Sequence, residues 1–437
     1  MNNSVANKIN LLLVIVITLS PLLSYFVVNL FNIKSGIYFF NMVVFGAFIY
    51  MMLNCIKKGR IRFPIYLSFL LAFSVYVILS DIFIAGRSFT PTYLFKHQIM
   101  MGFFAATIIE NTLFSRKYIY ELTRLVKWLF WLSIAVILIQ QFVNPMFMLN
   151  SNALEEFAAS SDLEKRFSSI YSYFGGSLYA GLTVIPLLCI IVAENTKKNG
   201  TISIYYLAAT IFSVINKSRW IIINVAISLF VKYNLKKMNL KQGIRVIGTI
   251  IVMSMSSYYV LKYFNFDIDG LIADRFLETS QGGLENGAAS SRLLAFEVFG
   301  NLYPEYPVLG KGNLQWGEGA EGDLELSTML RGRSSQIHVG YLSLFYWYGM
   351  AGALLFLAFL FFMLKKMKAT ARRWDYWGPY WGMMGFVFAN LTLVHLNINV
   401  PGLILCLVYN KYYEQRRIVF LKEEEQSVEE VLTEAVP

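Results

Sequence analysis

The chain has 437 residues, 57% of them hydrophobic and only 15% charged, with a mean hydropathy of +0.52. One water-soluble core cannot bury that apolar content, so an ordinary soluble globular protein is excluded and much of the chain must face lipid. The net charge is +11, but no basic groove with interleaved stacking aromatics occurs, which leaves no call for a nucleic-acid partner.

Crossing the hydrocarbon layer takes about 20 apolar residues per helix, and the chain offers about twelve such runs. They are predicted at 9–31, 36–56, 63–85, 93–114, 125–143, 175–193, 201–215, 219–233, 245–264, 338–364, 376–396 and 399–413. The fold class expected is an all-α polytopic membrane protein of about 12 transmembrane helices, with one large periplasmic loop between helices 9 and 10. Leu11–Phe31 is too long for a signal peptide and lacks a small-residue cleavage site, so it is read as a retained first span. Cys55, Cys189 and Cys406 fall inside apolar runs, away from any disulfide or zinc spacing.

With a cytoplasmic N-terminus, the inner loops become Lys57–Arg62, Ser115–Arg124, Asn195–Gly200, Lys232–Arg245, Lys365–Trp374 and the tail from Lys411. Most of the 38 lysines and arginines then lie inside, as short cytoplasmic loops require. This orientation keeps both termini cytoplasmic and explains the positive charge by topology. It divides the chain into an N-terminal bundle of about nine helices (1–264), the large loop (265–337), the C-terminal helices (338–413) and an acidic tail (414–437).

In chain order, the first residues with chemical promise are in "VINKSRWIII", where two apolar runs of about 15 residues are too short to cross. The tip Asn216–Arg219 is expected below the outer membrane surface. Arg219 either snorkels to headgroups or grips an anionic ligand through its fork of donors. In the large loop, "RLLAFEVFGNLYPEYPVLGKG" has apolar residues at helical spacing before a Pro/Gly turn, predicting an amphipathic helix on the membrane face. Arg292 starts this segment. Gly310, Lys311 and Gly312 end it, and adjacent glycines let backbone N–H groups approach an anion closely. Arg331 and Arg333 add positive charge before His338, although the loop as a whole is net acidic. Any phosphate captured here needs a local arginine cluster rather than the loop's mean field. His338, at the start of the tenth run, is read either as a local cap or as a group that exchanges protons near neutrality. His97 and His395 lie in or near spans, and a structural role is expected for His395.

The ordered set of an arginine on a short outer hairpin, "SSRLLAFEVFGNLYPEYPVLGKG" and "QIHVGYLSLFYWYGMAG" resembles the O-antigen ligase and polymerase superfamily. Its members show an Arg–aromatic helix, a Pro–Gly-x-Gly turn, then His and a Gly-bearing helix. The resemblance covers about residues 160–364. It implies a metal-independent, cofactor-free glycosyltransferase at the periplasmic face of the bacterial inner membrane. The donor would be an undecaprenyl-pyrophosphate-linked glycan, with flippase and chain-length regulator proteins as partners beside the bilayer. Arg219 and Arg292 would bind pyrophosphate, helped by Gly310, Lys311, Gly312, Arg331 and Arg333, and His338 would activate or position the acceptor hydroxyl. Val339 stands where the ligases often have Asn, and Phe296 where Trp is common. Both departures favour a polymerase of surface-polysaccharide repeat units over a ligase acting on lipid A-core. The rival class, a lipid-linked oligosaccharide flippase, would place charges deep in several spans, whereas Asp81, Lys96 and Glu110 lie near predicted span ends.

Overall fold

The computed structural model describes residues 5–31, 37–59, 61–86, 88–90, 93, 97–144, 147, 177–194, 204–209, scattered positions of one to three residues between 244 and 263, 288–313, 337, 339–391 and 396–416. Among the described residues the regular structure is helical, with no strand. The helices are α1 (Val5–Phe31), α2 (Ile37–Lys58), α3 (Ile65–Phe83), α4 (Gln98–Glu110), α5 (Arg116–Phe142), α6 (Ser177–Glu194), α7 (Ala288–Leu302), α8 (Gly340–Trp374), α9 (Gly378–Ala389) and α10 (401–416). Four stretches, Phe39–Lys57, Ile65–Phe83, Arg116–Gln140 and Gly340–Trp374, are long and apolar enough to cross a membrane. Asn7–Ser20 and Gln98–Glu110 are shorter apolar helices.

The predicted spans at 36–56 and 63–85 match α2 and α3 closely, while two other boundaries need correction. α5 begins at Arg116, inside an expected loop, because the Ser115 hydroxyl accepts the Tyr118 N–H (3.2 Å) and starts the helix there. α8 runs on through Lys365–Trp374, also expected as loop, and ends only at Asp375 with φ 51°. Lysine, arginine and alanine sustain a helix after its apolar run has ended. The predicted span 219–233 lies outside the described residues. Of 201–215 the helix at 204–209 is described, and of 245–264 only scattered helical positions.

α3 lies along α8. Phe69 stacks on Phe362 (5.2 Å between centroids), and Phe73 meets both Phe356 (5.1 Å) and the edge of Tyr348 (6.0 Å). α2 packs on α1 and α4, with Phe48 stacked on Phe104 at 4.3 Å. α9 packs on α6 through small residues: a Cβ at Gly378 would come within 2.8 Å of the Cys189 carbonyl, and one at Gly382 within 3.3 Å of Pro186 Cα and 2.6 Å of Cys406 Sγ on α10. Leu12, Phe39, Leu53, Phe83, Leu354 and Phe361 point outward, as lipid-facing residues do.

Polar side chains collect at the two ends of this bundle. At one end Tyr66, Glu110, Lys366, Lys411 and Gln415 tie α3, α4, α8 and α10 together. At the other, Asp81 holds Tyr93 and Asn313, and Asn399 donates to Asn41 (3.4 Å) and Gln98 (3.1 Å).

Candidate functional site

The second end is where the expected loop residues meet the helices. α7 turns Ala295, Val298 and Leu302 inward, all buried. Phe299 stacks on Tyr303 (4.8 Å), which sets its ring edge against Phe345 of α8 (6.1 Å). A single 3-10 turn, Tyr303–Glu305, then redirects the chain, helped by Pro304, and the Tyr303 hydroxyl donates to the Pro307 carbonyl (3.0 Å). Residues 307–313 form an irregular strap laid across α8.

α8 is broken to receive it. Gly349 has φ 59° and ψ −168°, outside any helix, so the carbonyls before it and the N–H groups after it lose their partners within the helix. The strap supplies them. Lys311 N–H donates to the Tyr346 carbonyl (2.9 Å) and Gly312 N–H to the Trp347 carbonyl (2.8 Å), while Met350 and Ala351 N–H groups donate to the Pro307 (2.9 Å) and Val308 (3.1 Å) carbonyls. Buried irregular backbone survives only when its polar groups are satisfied by protein or by a wet cavity. Here the strap and the broken helix satisfy each other.

The glycines make that approach possible. Gly310 and Gly349 both have positive φ, and a Cβ on either would overlap the other segment's backbone: Trp347 and Gly349 in the first case, Val308 and Gly310 in the second. Gly312, with φ 75°, lies against Ala85 at the end of α3, where a Cβ would come within 2.8 Å of the alanine methyl.

α3 pins the strap with two polar side chains. The Tyr76 hydroxyl shares its one proton between the Leu309 carbonyl on the strap (2.9 Å) and the Tyr348 carbonyl on α8 (3.1 Å), bridging the seam. Asp81, buried, accepts the Asn313 N–H on Oδ1 (3.2 Å) and the Tyr93 hydroxyl on Oδ2 (2.7 Å). Lys311 leaves this seam half-buried, its Nζ 5.7 Å from the Tyr306 ring centroid and 5.9 Å from that of Tyr346.

The expected site residues are therefore described unequally. Gly310, Lys311 and Gly312 come together at the break in α8. Their backbone N–H groups do not form an open anion cradle, because all three are taken by protein carbonyls, Gly310 by Tyr306 (3.1 Å). The Lys311 side chain, set in place by the glycines around it, lies beside the Tyr306 and Tyr346 rings. Arg292 lies on α7, the helix leading into the strap, and only its backbone is described. Arg219, Arg331, Arg333 and His338 lie outside the described residues, as does His395. The residues flanking His338, Ile337 and Val339, are buried. His97 caps α4, accepting the Met100 N–H on Nδ1 (3.2 Å).

Sequence reasoning misses Tyr76, Tyr93 and the break itself. In the sequence Asp81 stands out only as a charge near a span end, and Gly349 only as one glycine of a Gly-bearing helix. Asp81 does carry a signal, since an ionisable group in an apolar helix needs a partner. Tyr76 carries none among so many aromatics. No three His, Cys, Asp or Glu side chains among the described residues stand together as metal ligands. No protein-family model matches the chain, and no curated protein matches it.

Proposed function

We propose that the chain polymerises undecaprenyl-pyrophosphate-linked oligosaccharide repeat units into a surface polysaccharide at the periplasmic face of the bacterial inner membrane. The observation that carries this is the ordered motif set, ending in the strap that holds Lys311 at the mouth of a membrane helix. A lipid-linked donor arrives in the bilayer with its pyrophosphate at the interface, so a cation fixed at the outer end of a helix suits it. Arg219 and Arg292 are assigned to the pyrophosphate, with Lys311, Arg331 and Arg333 as further substrate-binding residues. As the anomeric carbon–oxygen bond breaks, charge grows on the leaving group, and preorganised cations stabilise that charge. The acceptor hydroxyl of the other lipid-linked unit attacks the anomeric carbon and gives its proton to His338, a step that typically contributes about 10²–10⁴-fold.

Discontinuous helices also mark transporters, where the freed backbone groups face a substrate. In α8 the freed groups face the strap instead, which favours an enzyme over a flippase. The deciding experiment is deletion of the gene followed by electrophoresis of the surface glycan. Loss of the ladder with single repeats still attached supports the polymerase. Loss of all attached glycan with lipid-linked polymer accumulating points to a ligase, and an unchanged pattern overturns both.

A further inference from the structure

We infer that Tyr76 and Asp81 of α3 are positioning residues of this site: they hold the strap 307–313 in the break of α8 and so set where Lys311 meets a pyrophosphate. The functional half of this inference rests on the glycosyl-transfer reading. The structural half stands on geometry alone.

Three successive points of α3 and its C-terminal end meet the strap. Tyr76 reaches Leu309, Ala85 lies under Gly312, and Asp81 takes Asn313, so the segment carrying Lys311 is held on both sides. Tyr76 touches strap and helix with one hydroxyl. Its ring lies where a Cβ at Gly352 would come within 2.9 Å of it, so Gly352 is what lets α3 reach the seam. Asp81 is only 3% exposed within an apolar helix, a costly place for a carboxylate unless donors surround it. Two donors reach it from separate connections, the Asn313 N–H from the strap and the Tyr93 hydroxyl from the segment between α3 and α4. Packing α3 against α8 needs no carboxylate there, because the Phe69 and Phe73 contacts already do so. Holding the strap exit and Tyr93 together uses both oxygens of Asp81.

The test uses the full chain in lipid nanodiscs, with Tyr76→Phe, Asp81→Asn, Asp81→Ala and Lys311→Ala. Amide hydrogen exchange across 307–313 and 346–351 reads the seating of the strap. Tyr76→Phe should speed exchange there about fivefold and Asp81→Ala about tenfold or more, with Asp81→Asn between wild type and Asp81→Ala because it keeps one acceptor oxygen. Steady-state kinetics with synthetic lipid-linked repeat units read the consequence. Tyr76→Phe should raise KM about tenfold with kcat largely kept, and have no further effect once Lys311 is alanine. Unchanged exchange in Asp81→Ala overturns the inference. So does an effect of Tyr76→Phe on kcat/KM that is as large in the Lys311→Ala background as in wild type, since the tyrosine would then act through general stability. Wild-type protein inactive on lipid-linked units overturns the glycosyl-transfer reading and Lys311's part in it, while the exchange result decides whether α3 holds the strap.

Discussion

Gly310 and Gly349 face one another across the seam, and each is glycine for two reasons: a left-handed backbone and a neighbour's backbone where its Cβ would be. The conformational term alone costs an alanine about 1–2 kcal/mol. We therefore expect Gly310→Ala and Gly349→Ala each to lower the thermal midpoint in detergent by at least that equivalent. Both open the same seam, so the double variant should lose clearly less than the sum of the single losses. Full additivity would mean that the strap and the broken helix do not depend on each other. Glu110 gives a second test at this scale. It is 4% exposed, accepts from Tyr66 (2.8 Å) and Lys411 (2.8 Å), and is also paired with Lys366. Glu110→Ala leaves Lys366 and the fully buried Lys411 with only the more exposed Glu414 as counter-ion (3.1 and 3.6 Å), and should cost about 3 kcal/mol in unfolding free energy, the low end for a broken buried pair. Lys411→Met removes a buried charge yet leaves Glu110 with Lys366 and Tyr66, so it should cost markedly less. Equal losses would show that the cluster works by packing rather than by charge.

Among the elements, those bounded by lipid are legible in the sequence and those bounded by a partner are not. α2 and α3 show as apolar runs because a spanning helix must satisfy its backbone internally and offer side chains to lipid. "LFYWYGMAG" reads as equally continuous, yet it breaks at Gly349, because the partner of that break is a loop segment and hydropathy carries no record of hydrogen-bond partners. The Gly310–Lys311–Gly312 stretch is recognisable as special, but its N–H groups serve protein carbonyls rather than an anion. Charge misleads at Lys365–Trp374, where the end of the apolar run is not the end of the helix. α4 shows how one side chain sets a boundary. His97 supplies its N-cap acceptor, so His97→Ala should cost about 1 kcal/mol of stability, while His97→Asn, a strong capping residue, should keep most of it. Faster amide exchange at 98–101 in the alanine variant and not the asparagine variant would establish the cap. Equal exchange in both would remove capping as the reason for an imidazole at this position.

At the scale of the whole molecule, the two polar ends give the bundle a direction. The α2–α3 and α4–α5 connections meet where the Asn111 side chain exchanges hydrogen bonds with the Arg62 backbone (2.8 and 3.0 Å), and Glu110 brings α8 and α10 to the same end through Lys366 and Lys411. The strap, Asp81 and Tyr93 occupy the opposite end. Among the described residues Arg62, Lys366 and Arg372 lie at the Glu110 end, and the proposed orientation, with that end cytoplasmic and the strap outside, is the one the positive-inside rule favours. Cysteine labelling tests this directly in a Cys55→Ser background, since Cys189 and Cys406 are buried. Ile61 and Arg372 are exposed at the Glu110 end, and Ser88 is exposed at the strap end. In intact spheroplasts a membrane-impermeant maleimide should label Ser88→Cys and leave Ile61→Cys and Arg372→Cys unlabelled until the cells are lysed. The reverse pattern would put the strap in the cytoplasm. A periplasmic polymerase needs Lys311 on the outer face, so that result would remove the proposed reaction while leaving the seam between strap and broken helix intact.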